Sequence, residues 1–382
     1  MKGFSAVVLC IGLASACRDA GVTAPEASFG RALPGSGAGR ITVMTRNIYL
    51  GTDLSPLLAA PPPLVAFVAA ETFAKIQATD FPARAEALAD EIGAADPHLV
   101  GLQEATLYRI QTPGDAALGG MTPATTVFQD FLAILLDALR ARGLDYHVAV
   151  VQENTDAEVP AFTGNGPDGL PTFTDVRLTD RDVILARSDV EVAGAEHAHY
   201  AVNQPVVIGG RPVLFLRGWL SVVTSVGGHT FRFFNTHLET EMFAAVQTAQ
   251  ATELLGITRA VPLPVLLVGD FNSAASGTQT PTYGLLTAAG FHDAWLDVKP
   301  SAAGLTCCHA ADLRNDESTL DRRIDLVLLG PGFRTRQRSQ VSGVRATVVG
   351  DEPADRTPSG LWPSDHAGVA ATLNVRFLCC QP

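Results

Sequence analysis

Short apolar runs that stop abruptly on polar side chains recur along this chain. Residues 265–272 read Val-Leu-Leu-Val-Gly-Asp-Phe-Asn. The run is too short for a helix buried on all sides and is rich in branched residues, so it predicts a buried strand whose end presents Asp270 and Asn272. The same design appears at residues 41–47, which alternate and finish on Asn47, and at residues 98–104, which finish on Gln103-Glu104. Residues 230–235 form another such strand and run into Asn235-Thr236-His237-Leu238-Glu239. Further strands are predicted at 146–151, 183–186 (preceded by Asp182), 190–192, 213–223, 322–329 and in an alternating segment ending at 377. Gly227-Gly228 supplies a hairpin turn between two of them.

Helical spacing occupies residues 64–78, 82–94, 127–142 and 242–260, and a weakly structured stretch follows residues 283–289. Pro82 suits a first helical turn, and Gly143 a stop after Phe128, Phe131, Leu132, Leu135 and Leu139. Residues 108–123, with several Gly and Pro, read as an insertion, and residues 154–175 as a long loop. Asp156, Glu158 and Asp168 lie there without the spacing of an EF-hand, so a solvated surface loop is expected. Hairpin-connected strands mixed with strand–helix–strand units predict an α/β fold: a four-layered sandwich of two packed, mostly antiparallel sheets flanked by helices, spanning residues 40–378.

Composition narrows the class. Of 382 residues, 47% are hydrophobic and 17% charged, which excludes bulk disorder. The formal charge of -12 argues against a broad electrostatic grip on nucleic acid. The start of the chain reads as a signal peptide over residues 1–16: Lys2, an apolar stretch from Phe4 to Leu13, then Ala14-Ser15-Ala16. Small residues before Cys17 resemble a bacterial lipoprotein box, which predicts a lipid anchor on Cys17 in the cell envelope and, failing that, a periplasmic or secreted protein. Residues 17–39 then form a flexible tether. Cys307, Cys308, Cys379 and Cys380 remain as two adjacent pairs in an oxidising compartment, with the pairing left open. A zinc site joining them to His309 lacks the usual spacing. No segment announces a protein partner.

Taken together, Asn47, Gln103-Glu104, Asn235 to Glu239, Gly269-Asp270-Phe271-Asn272, Arg323-Ile324-Asp325 and Ser364-Asp365-His366 resemble the endonuclease/exonuclease/phosphatase superfamily. This is the superfamily of deoxyribonuclease I, apurinic endonucleases, inositol-polyphosphate phosphatases and bacterial sphingomyelinases. Each motif alone is weak; their order along residues 41–377 carries the resemblance. It implies a deoxyribonuclease I-like fold and a metal-dependent phosphoesterase acting by in-line attack of an activated water on a phosphodiester or phosphomonoester.

The resemblance further implies that Glu104 binds a divalent hard cation, Mg2+ or Mn2+ with Ca2+ also admissible, with Asn47 and Asp365 assisting. It places His366 at the scissile phosphate with Asp325 orienting it, Asp270 on the attacking water, Asn272 on the phosphate and His237 at the transition state or leaving group. Gln103, Glu239 and Asp182 are supporting residues. The expected partner is a phosphate-ester substrate, with nucleic acid and phospholipid both open; the membrane enters only through the Cys17 anchor. Two other readings stand beside this one: a secreted nuclease acting on DNA or RNA, and a non-catalytic surface binding protein that retains the scaffold.

Overall fold

The computed structural model describes residues 38–333 and 340–376. The expected signal peptide, Cys17 and the Cys379-Cys380 pair lie outside these residues, as does residue 377.

Sixteen strands and seven α-helices form the described chain. In order, the strands are β1 (Ala38–Asn47), β2 (Leu99–Gln103), β3 (Leu107–Gln111), β4 (Thr126–Asp130), β5 (Tyr146–Asn165), β6 (Pro171–Arg187), β7 (Val192–His199) and β8 (Gln204–Ile208). There follow β9 (Arg211–Phe215), β10 (Gly218–Val226), β11 (His229–His237), β12 (Val265–Asp270), β13 (His292–Asp293), β14 (Asp325–Leu329), β15 (Gln340–Val349) and β16 (Gly368–Arg376). The helices are α1 (Ser55–Leu58), α2 (Val65–Ala78), α3 (Phe81–Ala95), α4 (Phe131–Ala141), α5 (Ala244–Ala260), α6 (Thr282–Ala288) and α7 (Ala294–Val298). None of them is long and apolar enough to cross a membrane.

Two mixed sheets carry the architecture. The first runs β15-β16-β1-β2-β6-β3-β4, with β5 along the free edge of β6, and the second runs β13-β14-β12-β11-β10-β7. Among the described residues only β1–β2 and β11–β12 pair in parallel; the other ladders are antiparallel. Three apolar cores separate four layers. Val65, Ala69, Leu88, Leu135 and Leu139 pack α2, α3 and α4 on the outer face of the first sheet. Leu254, Leu255 and Leu286 pack α5 and α6 on the outer face of the second. Between the sheets lie Ile41, Val43, Leu99, Ile184, Leu220, Phe233, Leu266, Val268 and Val327. The expected sandwich is therefore present, with its mostly antiparallel sheets.

Local corrections to the expected elements each have a cause. Asp130 caps α4 by accepting from the Ala133 N–H at 3.2 Å, so the helix starts at Phe131 rather than at residue 127. The freed segment becomes β4, paired with β3 inside what read as an insertion. The expected surface loop at 154–175 is instead a long hairpin, because β5 and β6 stay paired from Tyr146↔Arg187 to Asn165↔Pro171. Its acidic residues have protein partners: Asp156 pairs with Arg177, and Glu158 accepts from the Ala124 N–H. Gly227 and Gly228 do form a two-residue turn, with φ of 58° and 80°, the left-handed values such a hairpin needs. Ala38 and Gly39, read as the end of the tether, already belong to β1.

Candidate phosphoester site

Successive side chains on a strand point to opposite faces, so every second residue of a strand shares one wall. The wall between the sheets changes character at one end. In β1 it reads Ile41, Val43, Thr45, Asn47; in β11, Phe231, Phe233, Asn235, His237; in β12, Leu266, Val268, Asp270. β14 runs the other way, so Asp325 sits opposite Asp270 at its start. The parallel registers Asn47↔Gln103 and His237↔Asp270 bring the remaining strand ends level.

Asn47 is the hub. Its Nδ2 donates to Glu104 Oε1 at 3.1 Å and to Asp270 Oδ2 at 3.2 Å, while its Oδ1 accepts from the Tyr49 N–H at 2.9 Å. Glu104 Oε2 accepts from the Leu50 N–H at 2.7 Å. Glu104, Asn272 and Tyr49 have φ of 60°, 48° and 60°. Non-glycine residues pay for this left-handed backbone, on the order of 1–3 kcal/mol each, and such strain gathers where side chains must be aimed.

Two histidines flank the hub. His366 Nδ1 lies 2.9 Å from Asp325 Oδ2 and 3.8 Å from Asp270 Oδ2. His237 Nδ1 lies 2.8 Å from Arg217 Nη1, and because a guanidinium can only donate, this nitrogen accepts. The ring proton of His237 therefore rests on Nε2, 3.4 Å from Asp270 Oδ2. Asn272 is held beside it, its Nδ2 3.2 Å from His237 Nε2 and its backbone N–H donating to Asp270 Oδ1 at 2.9 Å.

The electrostatics follow from burial. Burial, then the Asp325 carboxylate, push Asp270 up to about 6. Burial, with Glu104 adding to it against His366, pushes Asp365 to about 6. Burial and Asp180 raise Glu104 above the ordinary carboxylate value. Burial resists charging of His366, but Asp325, Asp365 and Asp270 outweigh it and hold this imidazole well above its usual pKa. His237 goes the other way: burial, Arg217 and His366 keep it neutral. One imidazole is thus prepared as a proton donor and the other as a neutral hydrogen-bonding group.

The oxygen-rich set fits a hard divalent cation. Asp270, Asp325 and His366 bring ligand atoms within 4.8 Å of one another, and Asp325 Oδ1 is buried without a partner. A cation here would compensate the burial, and the neighbouring carboxylates, that together raise Glu104, Asp270 and Asp365.

The structure thus brings Asn47, Glu104, His237, Asp270, Asn272, Asp325 and His366 together by direct contacts, with Asp365 coupled to them electrostatically. The supporting residues sit differently. Gln103 does not touch the Glu104 carboxylate; its Nε2 donates to Asn235 Oδ1 at 2.6 Å. Glu239 accepts from the Thr240 N–H, and the partner of His237 is Arg217. Asp182 is fully buried against Asn154 Nδ2 at 2.8 Å. Arg323 is buried in an ion pair with Asp293.

Several contributors escape sequence reading. Arg217 sits between two strands that the sequence merges into one, and Asp180 lies on the same β6 wall as Asp182 and Ile184. The alternation of β6 was the available signal for Asp180. Arg84, in α3, reaches back to the carbonyls of Ile48 (2.8 Å) and Pro363 (3.0 Å), tying both site loops down. Arg46 pairs with Glu91 and donates to the His366 carbonyl. Cys307 and Cys308 are bonded to each other and lie against His366, whereas His309 stacks on Trp362. The zinc arrangement with His309 would draw on Cys379 and Cys380, which lie outside the described residues.

The sequence model of the Endonuclease/Exonuclease/phosphatase family matches residues 47–366. Solved structures share the fold. An endonuclease/exonuclease/phosphatase family protein from Leptotrichia buccalis C-1013-b superposes with TM-score 0.52 at 12% identity, covering 88% of this chain and 100% of that one. One from Bacteroides thetaiotaomicron gives TM-score 0.51 at 15% identity, covering 90% and 100%. TDP2 from D. rerio, complexed with single strand DNA product, gives TM-score 0.51 at 16% identity, covering 88% and 99%. No curated protein matches the chain. The chain belongs to the endonuclease/exonuclease/phosphatase family, which includes phosphoesterases, nucleases and phosphatases.

Proposed function

We propose that this family member is a metal-dependent phosphoesterase that hydrolyses a phosphodiester or phosphomonoester by in-line attack of an activated water. The observation that carries the reading is the Asn47 amide bridging Glu104 and Asp270 beside two histidines of opposite protonation tendency. Glu104 with Asp365, and the Asp270–Asp325 pair, are the residues that would hold the cation, Mg2+ or Mn2+. When bound, it neutralises charge on the phosphate and aids the leaving oxygen. Asp270 positions the attacking water and takes its proton. Protonated His366, oriented by Asp325, donates to the phosphate or the departing oxygen. His237, fixed as the Nε2–H tautomer by Arg217, and Asn272 donate to the equatorial oxygens as charge grows there.

Hydrolysis of bis-p-nitrophenyl phosphate with Mg2+ or Mn2+ tests the reading. Turnover is expected to vanish with a chelator and return with the metal. Glu104→Ala and His366→Ala should each lower kcat/KM by about 10²–10⁴-fold. Absence of metal-dependent turnover, or undiminished turnover in both variants, would exclude it.

A nuclease is the second reading, favoured by the single strand DNA product bound to the D. rerio relative and opposed by the charge of -12. Plasmid DNA, single-stranded DNA, RNA and sphingomyelin compared under one metal condition separate the two. The lipid anchor on Cys17 rests on residues 1–17, and a mature N-terminus carrying acyl chains at Cys17 is the mass expected.

A further inference from the structure

A cavity of ≈ 100 Å³ opens beside the site. Its walls are almost wholly apolar: Leu57 from α1, Ala69, Phe73 and Ile76 from α2, Ile208 from β8 and Phe215 from β9. Its charged lining is Glu104, Asp180 and Arg217, and Thr72, Tyr108 and Thr155 add the remaining polar side chains. The charged ones are site residues or their direct partners. The Leu50 N–H that holds Glu104 Oε2 belongs to another lining residue, and Arg217 holds His237 while facing Asp180 Oδ2 at 3.7 Å. Asp180 is buried, and its Oδ1 has no partner.

The hairpin that roofs the cavity carries a second signal. β8 and β9 pair Gln204↔Phe215 through Ile208↔Arg211, so Ile208 and Phe215 share the inner face. The outer face is Pro205, Val207, Pro212 and Leu214, every one exposed. Val207 is 60% and Leu214 48% exposed, although an ordinary solvated hairpin alternates apolar inside with polar outside. Apolar side chains thus stand on both faces of this hairpin beside a polar reaction centre, with Gln204 and Arg211 at the ends of the inner face.

Resting on the phosphoesterase reading, the geometry points to an amphiphilic phosphate ester as substrate, with the phosphate at Asn47, Glu104 and His366 and the first carbons of an apolar substituent in the cavity under β8–β9. The sugar that adjoins the phosphate of a nucleotide is polar and gives no reason for such a chamber. The capacity is limited: an engineered cavity of about 150 Å³ takes up benzene. The subsite therefore accommodates a short apolar stem next to the phosphate, and a longer chain would leave it towards the exposed hairpin face.

Calorimetric titration of the metal-loaded protein with methyl-, propyl-, pentyl- and heptylphosphonate tests this without turnover. Burying each methylene should tighten Kd about fourfold until the cavity is full, after which the series levels. Ala69→Phe, which fills the chamber, should flatten the series. Leu57→Ala, which enlarges it, should move the break to a longer chain and serves if the first variant does not fold. The bound phosphonates must also inhibit bis-p-nitrophenyl phosphate hydrolysis competitively. A flat series in the wild-type protein, a series unchanged in the folded variants, or tightening without competition overturns the subsite. If the wild-type protein fails to turn over bis-p-nitrophenyl phosphate at all, the phosphoesterase reading falls and the subsite with it, a result distinct from a flat series in an active protein.

Discussion

One interface between two sheets contains both a wholly apolar stretch and a polar one. In its middle, Val43, Phe233, Leu266 and Val268 meet without a polar atom among their side chains. Two to four residues further along the same strands and on the same face stand Asn47, His237 and Asp270, almost as deeply buried. The backbone environment is nearly constant across that step; what changes is that the polar end borders loops instead of further apolar wall. The ladder that makes the middle stable makes the end rigid. Rigid placement is what an array of crowded, raised-pKa carboxylates requires, because their mutual repulsion would otherwise move them apart.

Substitutions at the two stretches should therefore have opposite signatures. The largest effect is expected at the polar end: His237→Ala should lower kcat/KM by about 10²–10⁴-fold, with far less change in unfolding free energy than a core truncation produces. An equal loss of stability would mean that His237 is a packing residue. Next, Phe233→Ala should cost about 3–5 kcal/mol in a denaturant titration while the folded fraction keeps its turnover. Activity lost in proportion to stability would show that the two stretches are not separable.

The smallest effect should come where they meet. A Cβ on Gly101 would lie 2.6 Å from Val268 Cγ2 and 2.7 Å from Asn235 Oδ1. Gly101→Ala should therefore cost about 1–3 kcal/mol by overpacking. It should also lower turnover modestly, because Asn235 ties Gln103 Nε2 to the Leu102 carbonyl across the sheets. Measured together, melting temperature and kcat/KM show whether strain at the junction reaches the site.

Much of this was legible in the chain. Val265 to Asp270 and Ile41 to Asn47 read as strands ending on polar side chains because a branched apolar run followed by a carboxylate or amide has few other uses. The hairpin at residues 154–175 was not legible: Asp156 and Glu158 read as solvated until Arg177 and the Ala124 N–H appear across the sheet. Arg217 was hidden because Leu216 and Arg217 interrupt an apolar stretch that continues in pattern but breaks in pairing, between β9 and β10. Arg84 lies in a segment legible only by its helical spacing, yet it is fully buried and holds two distant loops.

By itself the sequence determined which side chains end the strands and the order in which they come, since alternation and strand length are properties of the local chain. It also determined the family, through six weak motifs in sequence. Only the tertiary structure decided which polar residues meet. Register places His237 beside Asp270 and Asp325 opposite it, and a shift of one residue in either ladder would turn those side chains to the helix-covered face. The same packing decided that Arg217, and not Glu239, sets the tautomer of His237. It also decided that an apolar chamber adjoins Glu104, because that chamber is assembled from α1, α2 and the β8–β9 hairpin, segments far apart in the chain.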